Sequence, residues 1–397
     1  MASGFEVPDH VRPIRDAVLA FMVERVEPAE PVLQAGGVEA AGVLLQLQEE
    51  AKAEGLWALG HPVELGGAGM AFLDYVYVNE VQGRSEHGQL ALGTFTLQDS
   101  LMLDAHASEA QRERWLTPLV AAEVWPSFAM TEPDVASSDP TQLHTTGTLD
   151  GEEWVIRGRK WFTTGAGRAA YTTVMCRTEP DAPDHRAFSM VIVPTDTPGY
   201  TIVRETPVLG IQGGHCEVLY DDVRVPADHL LGERGRGFAI AQERLGPGRI
   251  FHCMRWLGQA QRAFDLMCQR LHARHAFGGP LADKQLLQQH VFDSYAQIQA
   301  CRLLTLHAAA AVDRGDDARV EIGAVKVVGA RMLHDVIDRA VQVYGAAGLT
   351  DDTPLSHMYR AARFARIYDG PDEVHVQSVA RRILRTYRDG ATWPFAG

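Results

Sequence analysis

The residues best suited to chemistry in this sequence fall in five short segments. The first runs Phe128-Ala-Met-Thr-Glu-Pro-Asp-Val-Ala-Ser-Ser-Asp139. Thr131, Ser137 and Ser138 supply hydroxyls, and Pro133 stiffens a loop that exposes backbone N–H groups. Such a loop suits the polar edge of a planar heterocycle, which alternates acceptors with a donor. It reads equally as an ST/Asx turn that caps only itself. In the second, Gly158-Arg-Lys-Trp-Phe-Thr-Thr-Gly165, Trp161 precedes Thr163 by two residues. The aromatic could stack on a flat cofactor while the hydroxyl bonds its edge, or the segment is an ordinary strand end.

The third segment, Leu209-Gly-Ile-Gln-Gly-Gly214, leads to Tyr220–Pro226 and Leu231–Phe238 and reads as turns leaving a β region for a helix. In the fourth, Arg274-His-Ala-Phe-Gly278 with Gln285 following, Arg274 is either a bidentate phosphate partner or a solvated helix-end cation. The fifth joins Gln342-Val-Tyr-Gly-Ala-Ala-Gly348 to Ile367-Tyr-Asp-Gly-Pro-Asp-Glu373. Asp369 and Asp372 there read first as N-caps of a last helix. A glycine cluster, Gly66-Gly-Ala-Gly69, has no β-rich run before it, so it reads as a tight surface loop and not a dinucleotide fingerprint.

The elements that position these segments follow from periodicity. Val11, Ile14, Val18 and Met22 recur at helical spacing. Between about 121 and 232, β-prone runs appear at Trp154–Ile156, Tyr171–Met175, Phe188–Val193 and Tyr200–Val203, with Asp150-Gly151 as a hairpin signal. From Gly237 helical spacing returns, through Val291, Tyr295, Ile298 and Cys301 and through Val325, Val328, Met332 and Val336. The expectation is an α+β chain of three domains: an N-terminal α-helical domain (1–122), a middle antiparallel β domain (123–234) and a C-terminal four-helix bundle (235–397).

Composition narrows the function classes. A chain of 397 residues exceeds a single ordinary core, and 46% hydrophobic residues suit a globular enzyme. A net charge of −14 argues against nucleic-acid binding. No apolar run approaches the ~20 residues that span a bilayer, and residues 1–16 lack a signal-peptide core, so a cytoplasmic protein is expected. Five scattered cysteines without C-x-x-C spacing suit reduced thiols, and no metal site is expected.

Taken together and in order, these segments resemble the acyl-CoA dehydrogenase family nearly end to end. The matching features are a T-E-P…S-D loop, W-x-T, L-G-x-x-G, D-V-x-V-P…L-L-G-x-x-x-x-G-F and G-R-I. They continue with R-x-x-F-G and a Gln eight residues after its Phe, Q-x-Y-G-x-x-G and I-Y-acid-G. The resemblance implies FAD bound between a β domain and a helical bundle. Phe128, Met130, Thr131, Ser137, Ser138, Trp161 and Thr163 would then contact flavin, with Thr163 near N5. Pro371 and Glu373 would face the cofactor too. Arg274, Phe277, Gln285, Gln342 and Gly345 match residues that reach the FAD of a neighbouring subunit, which implies a homodimer or homotetramer. Ser138, Gly246, Arg249 and Gly370 match substrate positions along the acyl-CoA channel.

The reaction so implied is α,β-dehydrogenation to a trans-2-enoyl-CoA within fatty acid β-oxidation, with electrons passing to an electron-transferring flavoprotein. The family places its base either in the I-Y-acid-G motif or just before the Arg of G-R-I. Here the second position is Gly248 and the first is Asp369, so the resemblance implies Asp369 as the α-proton base. Family members with this arrangement mostly carry Glu. A subgroup that includes domains of larger eukaryotic proteins carries Asp, and branched, very long or 4-hydroxy acyl chains are associated with it. Other departures are a T-E-P loop longer by one residue, Gly246 for an Asp, and Pro371 for a Thr. Same-fold relatives with oxidase or monooxygenase chemistry, or a non-catalytic flavin binder, are the alternatives.

Overall fold

The computed structural model describes residues 6–211 and 214–393. Gln212 and Gly213 of the third segment therefore lie outside the described residues. The helices used below are α1 (Arg12–Phe21), α2 (Gly37–Ala53), α3 (Phe72–Gln82), α4 (Leu97–His106), α5 (Gly237–Ala273), α6 (Gln285–Asp313), α7 (Arg319–Tyr344), α8 (Leu355–Phe364) and α9 (Asp372–Arg388). The strands are β1 (Pro126–Ala129), β2 (Thr146–Asp150), β3 (Glu153–Thr164), β4 (Tyr171–Arg177), β5 (Phe188–Pro194), β6 (Tyr200–Glu205), β7 (His215–Pro226) and β8 (Leu230–Leu231).

These elements form two compact units. One comprises residues 1–60, 70–92 and 246–397, and the other residues 61–69 and 93–245. The boundary falls inside α5, beside Gly246, Pro247 and Gly248.

In the helical unit, Pro13 opens α1 where its missing N–H is harmless, and Val11, Val18 and Met22 are buried. The long helices α5, α6, α7 and α9 are accompanied by the shorter α8. Ile298, Cys301, Val325, Met332 and Val336 are buried as their spacing requires. Tyr295 is 56% exposed and Val328 41% exposed, at variance with the periodic pattern. Steps of three or four only approximate 3.6 residues per turn, so one member of a set drifts to the edge of the stripe. Two buried carboxylates are paired: Glu80 of α3 accepts from Arg302 of α6 at 2.7 Å, and Glu30 accepts from Arg262 at 2.7 and 2.9 Å.

The second unit is built on an eight-stranded sheet of order β6-β7-β3-β2-β4-β5-β8, with β1 also on β4. The hairpin β2–β3 pairs Asp150 with Glu153 and turns at Gly151, whose φ is +65°. Most neighbours are antiparallel, as expected. β1, however, runs parallel to β4, and β2 meets β4 in parallel at Thr146 and Arg177. Long connections separate these strands, and a crossover permits parallel pairing where a tight turn forbids it. Successive residues of β5 serve opposite cores: Met190 and Ile192 pack with Trp115 and Phe188, whereas Val191 and Val193 pack with Trp154 and Val218. The glycine cluster follows a single 3₁₀ turn, Val63–Leu65, and not a strand. Gly66 and Gly69 have positive φ, and a side chain at Gly67 would strike the His61 backbone. It is a tight loop.

Candidate active site

In the sheet-containing unit the first two segments are tied together. The buried Lys160 donates from Nζ to the carbonyl of Met130 at 2.8 Å and to Glu132 Oε1 at 2.9 Å. The Trp161 N–H donates to Thr131 O at 3.0 Å. A bulge between Lys160 and Thr163 in the β3–β7 ladder, with Phe162 at φ +48°, breaks the alternation there. Ser137 is taken up by its own loop: its hydroxyl accepts from Glu132 N–H and donates to Glu132 O. Asp139 caps the following turn at Thr141. Ser138 is exposed. Phe128 lies 4.4 Å under the guanidinium of Arg244, which pairs with Asp99. The self-capping reading thus holds for Ser137 and Asp139.

Trp161 Nε1 and Thr163 Oγ1 are buried and have no hydrogen-bond partner among the described residues. A buried polar atom left so costs ~1–3 kcal/mol. A donor and a hydroxyl two residues apart at a strand bulge fit the polar edge of a flavin, so these residues suit FAD.

The helical unit builds a second cluster around Asp369. Asp369 has φ +54° and Gly370 φ +98°, a left-handed pair that Asp tolerates better than most side chains. Three elements grip this turn. Arg249 of α5 and His375 of α9 donate to the Asp369 carbonyl at 3.1 and 3.0 Å. Lys326 of α7, fully buried, donates to Ala365 O at 2.7 Å and Gly370 O at 3.0 Å. The carboxylate oxygen Oδ2 lies 2.9 Å from His252 Nε2. His252 Nδ1 in turn lies 2.7 Å from a guanidinium nitrogen of Arg255. Trp256 stacks near His252 and donates to Tyr368 Oη at 2.9 Å.

Burial governs the electrostatics of this cluster. It lowers His252, and Arg255 lowers it further against the pull of Asp369. It lowers His375 to about 4. Burial also holds Lys326 and Arg249 below their ordinary values while Asp369 opposes the shift. The Asp369 carboxyl group is thereby set among imidazoles whose charged forms burial disfavours, and beside the side chains of Arg249 and Lys326.

Neither acid caps the last helix. Pro371 occupies the cap position of α9, and the buried Asp372 accepts from Arg331 and Arg366 at 3.1 and 2.9 Å. Within this unit the fold unites Arg249, Asp369 and Gly370. Pro371 adjoins them, while Glu373 is exposed. Arg274, Gln285, Gln342 and Gly345 are exposed, and Phe277 is 97% exposed with φ +51°. Gly246 is half-buried, and a Cβ added there would meet open space. Sequence reading missed His252, Arg255, Lys326 and His375. Two signals pointed to them: His252 sits one turn after Gly248, and Lys326 interrupts an otherwise apolar run.

A helical region, a sheet and a helical bundle, with these two clusters, define an oxidoreductase of the flavin-dependent class. Three family models match in series: the acyl-CoA dehydrogenase N-terminal domain over residues 8–123, middle domain over 127–223 and C-terminal domain over 235–384. The chain belongs to the acyl-CoA dehydrogenase family.

It is similar to FadE2 of Mycobacterium tuberculosis, a candidate acyl-CoA dehydrogenase, at 48% identity over 86% of each chain. It is 40% identical to acyl-CoA dehydrogenase family member 10 of Mus musculus, covering 94% of this chain but 37% of that protein. The chain thus spans well under half of that larger relative. Among solved structures, a candidate acyl-CoA dehydrogenase from Mycobacterium abscessus superposes with a TM-score of 0.91 at 37% identity, covering 96% of this chain and 100% of that one. Among the described residues no helix is long and apolar enough to cross a membrane.

Proposed function

We propose that this chain dehydrogenates an acyl-CoA thioester to its trans-2-enoyl-CoA, with Asp369 removing the α-proton. The observation that carries this reading is the placement of Asp369 on a turn whose backbone carbonyls are held by Arg249, Lys326 and His375, with its carboxylate oxygen 2.9 Å from His252 Nε2. A thioester α-hydrogen is weakly acidic, so its removal needs a base held in place. FAD, when bound, supplies the acceptor for the β-hydride. Trp161 and Thr163 would bond its edge, Met130 and Thr131 would line it, and Arg249, Gly246 and Gly370 would border the thioester arm.

An Asp in place of Glu draws the carboxylate back by ~1.5 Å. The threefold grip on the turn is consistent with a deliberate short base and with a substrate that approaches closely or carries bulk near Cα. The exposed Arg274, Phe277, Gln285 and Gln342 support assembly into a dimer or tetramer in which they reach a neighbour's cofactor. An electron-transferring flavoprotein would then be the acceptor, and β-oxidation the setting.

Anaerobic mixing of the FAD-loaded enzyme with a panel of acyl-CoAs tests the reading. Some thioester should bleach the oxidised flavin, and Asp369→Asn should bind that thioester yet reduce the flavin ~10²–10⁴-fold more slowly. Normal reduction by Asp369→Asn would remove Asp369 from the role.

A further inference from the structure

The base is not alone. His252 of α5 brings Nε2 to 2.9 Å from Asp369 Oδ2, and its other ring nitrogen faces Arg255 at 2.7 Å. Arginine offers only donors, so Nδ1 of His252 must accept. A neutral imidazole has one N–H, which Arg255 thereby assigns to Nε2. Nε2 stands 2.9 Å from Asp369 Oδ2, so a modest turn of either side chain brings the N–H onto the carboxylate.

The ring itself is held. Trp256 stacks on it at 6.0 Å and 19°, and Tyr368 packs against it at 5.1 Å. Burial and the Arg255 charge together keep His252 below the ordinary histidine range, so it is a neutral donor near neutral pH. The titratable and charged groups around this pair are Arg249 and Arg255 on α5, Lys326 on α7, His375 on α9 and Tyr368 on the intervening turn. Tyr75 of α3 acts on Arg255, and Glu86 on Tyr368.

We infer that His252 is a positioning residue for Asp369: fixed by Arg255 as the Nε2–H tautomer, it donates to Oδ2 and sets the carboxylate's torsion. The inference rests on the reading of Asp369 as the base. Its chemical sense lies in the short side chain. A carboxylate already ~1.5 Å short of a Glu's reach tolerates little rotation, because ~1 Å of misplacement costs ~10²-fold in rate.

His252→Leu and His252→Gln in the FAD-loaded enzyme, beside Asp369→Asn, test it. The glutamine amide nitrogen can stand where Nε2 stood; leucine cannot donate. His252→Leu should slow flavin reduction ~10²-fold with little change in acyl-CoA dissociation constant, and His252→Gln should recover most of that loss. A hydrogen bond to the ionised carboxylate favours that form, so its removal should move the acid limb of the reduction rate to higher pH. In the apoprotein, ¹⁵N spectra of histidine should show His252 as Nε2–H, and Arg255→Met should release it to a tautomer mixture.

Full-speed reduction by His252→Leu, equal losses in both His252 variants with an unmoved acid limb, or an Nδ1–H tautomer would each overturn the inference. So would a His252→Leu enzyme slower than Asp369→Asn, since His252 would then itself be the base. If instead Asp369→Asn reduces flavin normally, the reading of the base fails, and with it this role.

Discussion

Lys160 Nζ lies 2.9 Å from Glu132 Oε1 with both side chains buried, and the same nitrogen holds the Met130 carbonyl. The pair thereby joins β3 to the loop that carries Met130 and Thr131. Burial works to raise the Glu132 carboxyl, but Lys160 and the donors at His144 and Thr145 outweigh it and hold it below its ordinary value. Burial lowers Lys160 while Glu132 opposes that shift.

Lys160→Met should therefore destabilise the protein by ~3–5 kcal/mol, because it leaves a buried carboxylate unpaired. Urea unfolding measures this. The double variant Glu132→Gln/Lys160→Met should lose less than Lys160→Met alone, since no uncompensated charge remains.

Thr163→Val tests the cofactor edge. Its hydroxyl is buried without a partner among the described residues, so the near-isosteric change should leave apoprotein stability equal or slightly higher. Flavin retention through gel filtration should fall. Unchanged flavin occupancy would detach Thr163 from the cofactor.

Gly370→Ala strains the Asp369 turn. Gly370 has φ +98°, and an added Cβ would stand 2.7 Å from His375 Nε2. A loss of ~1–3 kcal/mol is expected from the backbone, with slower flavin reduction as the carboxylate shifts. Thermal melts and stopped-flow reduction read the two effects separately.

Acid should weaken the helical unit through His375. Its folded value of about 4 lies below the ordinary 6.5, so the unfolded chain takes up the proton first. Its contribution is complete above pH 6.5 and declines as pH falls from there to about 4, by at most ~3 kcal/mol. Denaturation of wild type and His375→Gln at pH 7.5 and 5 should show a smaller pH-dependent loss in the variant.

Much of the fold is legible locally. The runs at Tyr171–Met175 and Phe188–Val193 are buried strands, and Val11, Val18 and Met22 line a helix face. Tyr295, Val328 and the parallel β1 were not legible in this way. Facing and pairing depend on what a neighbouring element covers, which a local pattern does not contain.

The candidate site divides in the same manner. The family membership, the order of helices and strands, and the place of an acid between Tyr368 and Gly370 are properties of the sequence alone, because periodicity and motif spacing are written along the chain. That Asp369 is no helix cap, that Pro371 takes that position, and that His252, Arg255, Lys326 and His375 surround the acid were decided only by the tertiary structure. These residues come from three helices far apart in sequence, and only their packing brings a ring nitrogen within hydrogen-bond reach of a carboxylate.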